Sequence, residues 1–135
     1  MPKPKTRLDM PVTTSRHYSG PCGGKVGNQY KKYMWHNTVL STREGDNCVI
    51  LRGGVVFIIK NIVCNSVGVY IVGVYFRRLQ DAYTSPCRSK VFGISRVSQI
   101  TARPVARNLD EVEWKGLLTP FKRRLDEFVV YPLRK

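Results

Sequence analysis

The stretch VVFIIKNIVCNSVGVYIVGVYF, residues 55–76, is the most apolar part of a chain otherwise rich in Lys and Arg. A membrane span, a buried helix or a pair of strands would each accommodate it. The longest charge-free run, residues 61–76, is 16 residues long and contains Asn61, Asn65, Ser66, Gly68 and Gly73. A spanning helix needs about 20 predominantly apolar residues, so a membrane is not expected as a partner. Val, Ile, Tyr and Phe dominate the stretch, and β-branched and aromatic side chains favour a pleated strand over a helix. NSVG, residues 65–68, reads as a turn. The stretch is therefore expected to be a hairpin or meander, with Gly68 and Gly73 marking bends or bulges.

Similar reasoning extends to both sides. TVLS and NCVILR (47–52) read as strands, the second ending at Gly53-Gly54, where adjacent residues take positive φ without penalty. Residues 79–89 read as a loop and KVFGISRVSQI (90–100) as a strand with a break at Gly93. LDEVEWKGLL (109–118) reads equally as a short helix capped by Asn108 or Asp110, or as a strand. EFVVYPLRK ends the sequence as a strand that Pro132 confines to an edge. Five to seven short strands joined by tight turns predict a mainly β fold, a small SH3-like or OB-like β-barrel spanning residues 37–135. Residues 1–36 are expected to form a basic, largely irregular arm. Pro2, Pro4, Pro11 and Pro21 remove donors, four glycines raise the cost of ordering, and few apolar residues offset it.

The charge sets the function class. The 135 residues carry 23 Lys and Arg against 9 Asp and Glu, a formal net charge of +14. Such an excess favours polyanionic partners: DNA, RNA or an anionic membrane surface. The candidate phosphate contacts in the first 36 residues are Lys3, Lys5, Arg7, Arg16, Lys25, Lys31 and Lys32. Further along are Arg77 and Arg78 at the end of the central strand, one expected on each side of it. Lys122, Arg123 and Arg124 are three adjacent cations near the C-terminus. Tyr30, Tyr33 and Trp35 interleave with lysines and are candidates for stacking on bases. Tyr75 and Tyr83 join them as stacking residues, or as walls of an aromatic cage around a methylated lysine.

No catalytic set emerges. His17 and His36 sit near no obvious nucleophile, and neither a P-loop nor a dinucleotide glycine pattern occurs, so a non-enzymatic protein without cofactor is expected. Cys22, Cys48, Cys64 and Cys87 form no CxxC pair, and His17/Cys22 or His36/Cys48 lack metal-ligand spacing, so no metal is expected. Cys48 and Cys64 lie in apolar strands and read as buried structural thiols; Cys87, beside Arg88, is the one in an electropositive loop. The start, MPKPKTRLDMPVTTSR, has no apolar signal region, so a nuclear or cytoplasmic rather than secreted location is expected.

Residues 45–100 resemble a bromo-adjacent homology (BAH) module. The matching pieces are Gly45-Asp46 with Val49, then Ile59 and Ile62, then Val72, Val74, Phe76 and Arg77, and finally Lys90-Val91-Phe92 with Ser95. Lys90 stands where that family's pattern has an acid. The resemblance implies an SH3-like core acting in chromatin or protein recognition without catalysis. The expected function is a module binding nucleic acid or a nucleoprotein such as chromatin, through a basic arm and cationic loops on a barrel. Two alternatives remain. One is a structural component of a nucleoprotein assembly, as in a small viral coat or a ribosome-associated protein. The other is an interaction module that reads histone tails.

Overall fold

The computed structural model describes residues 9–85, 87–122 and 126–133. The protein is mainly β. Among the described residues twelve strands follow in order: β1 (Met10–Pro11), β2 (Arg16–His17), β3 (Asn28–Tyr30), β4 (Lys32–Trp35), β5 (Thr38–Ser41) and β6 (Cys48–Leu51), then β7 (Val56–Cys64), β8 (Val69–Asp81), β9 (Ser95–Ile100), β10 (Val105–Asn108), β11 (Val112–Pro120) and β12 (Glu127–Leu133). Single 3-10 turns occupy Thr13–Ser15, Ser89–Phe92 and Leu109–Glu111.

The apolar stretch is the hairpin β7–β8. Its turn is held by the Asn65 side chain, whose Oδ1 accepts the N–H groups of Val67 and Gly68 at 2.9 and 3.1 Å. From this hairpin the antiparallel pairings β7–β6, β6–β11, β11–β12, β12–β9 and β9–β8 close a ring of six strands. At the β6–β7 turn Gly53 and Gly54 take φ of 88° and 86°, the left-handed region that side chains disfavour.

The hairpin is a wall between two cores. Val56 and Ile58 of β7 and Val74 and Phe76 of β8 point into the ring, where they meet Cys48, Ile50, Val97 and Val130. Phe57, Ile59, Ile62, Val69 and Ile71 face outward into a second core with Val49, Leu51, Leu109 and Val112. A three-stranded sheet, β1–β4–β5, together with β3 covers it through Tyr33, Leu40 and Tyr30. Both faces of the hairpin are dry, which is why its sequence is a continuous apolar run rather than an alternation. Each fully buried Val, Ile or Phe contributes about 1.5–3 kcal/mol.

Two bulges keep the faces in register. The β7–β8 pairing shifts between Ile59 and Asn61, so Lys60 is extruded to solvent and the outward face passes from Phe57 and Ile59 to Ile62. The β11–β6 pairing shifts between Val112 and Trp114. Val112 therefore serves the outer core and Trp114 the inner one, with the exposed Glu113 between them.

Several expectations need correction. Residues 28–35, assigned to an irregular arm, are strands, because Tyr30 and Tyr33, 8% and 2% exposed, complete the outer core. Residues 16–29 are tied down by the fully buried Asn61. Its Oδ1 lies 2.8 Å from His17 Nε2, and its amide donates to Pro21 O and Gln29 Oε1 at 2.8 and 3.0 Å. The strand assigned to residues 90–100 begins only at Ser95. Before it, the buried Ser89 hydroxyl accepts from Ala82 N–H and donates to Ile94 O, fixing a turn with Gly93 at φ 75°. β10 has no counterpart in the sequence reading. Residues 109–118 contain both alternatives: Asn108 caps one 3-10 turn in a capping box with Glu111, and β11 follows. β12 is interior over residues 127–130, between β9 and β11, and Pro132 sits beyond β9, where a missing N–H costs no ladder bond on that side.

Gly73 lies opposite the Lys60 bulge, and a Cβ there would stand 1.9 Å from Ile58 O. Gly68, at the hairpin turn, faces open space. Gly73→Ala is therefore expected to cost at least about 1–3 kcal/mol, and Gly68→Ala to stay within about 0.5 kcal/mol. Thermal unfolding of both variants checks this; equal melting temperatures would refute the close approach.

Candidate nucleic-acid interface

Basic side chains cover much of the surface, and few are neutralised. Among the described residues, Lys and Arg form three ion pairs: Arg96–Glu127, Arg107–Glu111 and Lys115–Asp46. Arg96 is also held by Gln80 and lies over the Phe121 ring. The other described cations have no carboxylate at salt-bridge distance.

The expected contacts distribute as follows. Lys3, Lys5, Arg7, Arg123 and Arg124 lie outside the described residues. Arg16 is exposed and donates to Asn28 Oδ1 at 2.7 Å. Lys25 places its ammonium 4.4 Å from the Tyr70 ring centroid. Lys31 and Lys32 are exposed at the start of β4, and Lys32 pairs with Ser41, next to the Thr42-Arg43 corner. Lys122 is exposed and lies 5.2 Å from the Phe121 ring centroid. Arg77 and Arg78 are both exposed, against the expectation of one on each face. Inward-facing positions on β8 shift from Val74 and Phe76 to Leu79 across them, so neither arginine has to point inward.

The aromatics separate into two groups. Tyr30 and Tyr33 are corrected as stacking residues: both are inside the outer core, and burial pushes the Tyr33 hydroxyl up to about 12. Tyr83 is 39% exposed in the loop after β8. Trp35 and Tyr75 are half-buried, each with one side on the outer core and the other on a cleft.

The Tyr75 cleft brings cations together. β9 and β10 pair with successive parts of β8, residues 76–81 and 70–73. The connection between them crosses at Tyr75, whose N–H donates to Thr101 Oγ1 at 3.1 Å and whose carbonyl accepts from Thr101 N–H at 2.8 Å. The result is a cleft of about 360 Å³ lined by Tyr75, Arg77, Thr101, Ala102, Arg103 and Val105. Arg107, close enough to Tyr75 to interact electrostatically, is bidentate to Glu111 at 3.0 and 2.7 Å. Those hydrogen bonds raise the Arg107 pKa and lower that of Glu111. Arg77 and Arg103 are left as unpaired cations beside a half-exposed ring. The grouping of Arg103 with Arg77 is not legible in sequence, because only the return of the chain along β8 brings residue 103 next to residue 77.

Other chemistry is sparse here. Among the described residues no group of three or more His, Cys, Asp or Glu is placed to hold a metal ion, and no helix is long and apolar enough to cross a membrane. Cys22, Cys48, Cys64 and Cys87 form no disulfide with one another. Cys48 is buried as expected and burial pushes its thiol up to about 12, whereas Cys64 is only half-buried.

A family model described as a domain of unknown function (DUF8592) matches residues 16–133, and the chain belongs to that family. Neither a curated protein nor a solved structure matches it.

Two measurements follow. Cys48 should stay unreactive to a thiol reagent at pH 8 in the native protein and react only on unfolding; rapid native labelling at Cys48 would contradict its burial. The second concerns acid. Glu111 and Asp46 have folded pKa values below their ordinary 4.5 and 3.8, through hydrogen bonds from Arg107 and Lys115. Their contribution is full above those ordinary values and is lost as pH falls through the lower folded ones. Exposure limits each pair to under about 1 kcal/mol. The melting-temperature gap between the parent and Glu111→Gln should close in that acid range.

Proposed function

We propose that this protein is a non-enzymatic module that binds nucleic acid, alone or within a nucleoprotein such as chromatin, in the nucleus or cytoplasm. The observation that carries the reading is the pairing deficit: few of the described Lys and Arg residues meet a carboxylate. Unpaired cations held on a rigid β surface release condensed counterions from a polyanion at little ordering cost. The Tyr75 cleft supplies a focus, with Arg77 and Arg103 as phosphate ligands and the tyrosine ring as a stacking surface for an unpaired base. Lys31, Lys32 and Arg43 form a further cationic corner where β4 and β5 pair. The two-sided core makes the surface stiff enough to keep these groups in fixed positions.

Affinity for duplex and single-stranded nucleic acid should fall linearly with the logarithm of salt concentration, with a slope of about −0.7 to −0.9 per phosphate contact. Replacing Arg77 and Arg103 together by Ala, both exposed and unpaired, should flatten the slope by about 1.4–1.8. A slope near zero in the parent protein would remove the reading. An unchanged slope in the double variant would move the contacts to another face.

A further inference from the structure

Val91 and Phe92 are adjacent in the chain and 73% and 52% exposed. They end the 3-10 turn Ser89–Phe92, between β8 and β9. A flexible loop would fold two such side chains back onto the protein. This turn is held against that. Ser89 is fully buried, and its N–H donates to Tyr83 O at 2.9 Å. The Lys90 N–H donates to Asp81 Oδ1 at 3.0 Å. The Val91 and Gly93 N–H groups close on Arg88 O and Lys90 O at 3.1 and 2.9 Å, and Gly93, at φ 75°, turns the chain directly after Phe92. The two apolar side chains stand out from a rigid base, so no ordering cost remains to be met when a partner receives them.

The surroundings of the pair are cationic. Arg88 and Lys90 precede it and are exposed, and Lys90 rests its ammonium 3.3 Å from Leu79 O. Neither pairs with a carboxylate among the described residues. An apolar tip bordered by unpaired cations fits a polyanion that can also receive an apolar side chain. Stacked base pairs do both: phosphates meet the cations, and one inserted side chain opens a step. A lipid surface has the charge as well, but Val91 and Phe92 together offer fewer carbons than one acyl chain, which by itself holds only marginally. β8 also links the pair to the Tyr75 cleft, since Tyr75 and Asp81 both lie on it. Their separation along the strand is at most about 20 Å, less than one turn of a duplex, about 34 Å.

We propose that Phe92, backed by Val91, is a wedge that enters a base step of a nucleic-acid duplex and unstacks it. This role rests on the nucleic-acid reading above and adds to it how the duplex is engaged. Arg88 and Lys90 hold the flanking phosphates, and the ring replaces part of the stacking that the opened step loses. Flexible pyrimidine–purine steps are the easiest to open, so the wedge supplies a sequence preference without contact to a base edge.

The test uses the full chain and a set of DNA duplexes, each with 2-aminopurine at a different TA step. 2-Aminopurine is dim when stacked and brightens when the step opens. Affinity is followed in parallel by fluorescence anisotropy across a salt series. The parent is expected to bind with a negative salt slope and to raise the emission. Phe92→Ala should keep the slope, because no phosphate contact is removed. It should lose the emission rise, and about 5-fold or more in affinity at fixed salt. Phe92→Leu, which keeps an apolar wedge, should retain most of the rise. Val67→Ala, at an exposed apolar position in the β7–β8 turn, should behave as the parent. A steep slope without any emission rise, or a Phe92→Ala titration identical to that of the parent, overturns the wedge and leaves nucleic-acid binding standing. A slope near zero in the parent removes both. Loss of binding to phosphatidylserine vesicles in Phe92→Ala, with duplex binding unchanged, would assign the pair to a lipid surface and also overturn the wedge.

Discussion

The β7–β8 hairpin has to be dry on both faces, and the rest of the fold follows from that requirement. One face closes on itself through four further strands to make the ring. The other would present Phe57, Ile59, Ile62, Val69 and Ile71 to water if nothing lay over it. Burying five such side chains is worth on the order of 10 kcal/mol, comparable with the whole stability of a domain this size. The covering sheet and β3 are therefore part of the folding unit rather than a decoration on it. Tyr30 and Tyr33, which look like recognition residues when flanked by lysines, are used for this purpose.

That requirement also separates what sequence makes legible from what it does not. The hairpin, its Asn65 turn, the Gly53-Gly54 turn, β5 and β6 follow from local signals: β-branched composition, tight-turn residues and run length. β4 and β10 carry no such signal. KYMW and VARN are short and mixed, and they become strands because β1 and β5 flank one and β8 offers an edge to the other. Ser89 shows the reverse case, where one buried hydroxyl overrides the strand propensity of the residues that follow it. The basic character of the candidate interface is legible in composition alone. The grouping of Arg77 with Arg103 is not, since it depends on strand pairing across more than twenty residues.

The two bulges do different work with the same geometry. Each inserts a single residue and reverses the inside–outside alternation of its strand. At Lys60 the reversal keeps the outer core continuous along a nine-residue strand. At Glu113 it lets Val112 and Trp114 of one strand serve separate cores, and it leaves the exposed Glu113 on a cleft that Trp35 and Trp114 also line. Glycine is needed opposite the first bulge because the two backbones approach too closely for a side chain.

Asn61 has a consequence for where this protein can be cut. Its side chain is an amide sealed inside the molecule, and its partners come from residues 17, 21 and 29. A shortened version starting beyond them would leave the amide N–H groups without acceptors, at about 1–3 kcal/mol, its Oδ1 keeping the Ile62 N–H. It would also unpair Val63 from Gln29 and take Lys25 off the Tyr70 ring. A piece able to stand alone therefore has to begin no later than β2, close to where the family match begins. What looks like a tail is the clasp that fastens the shell.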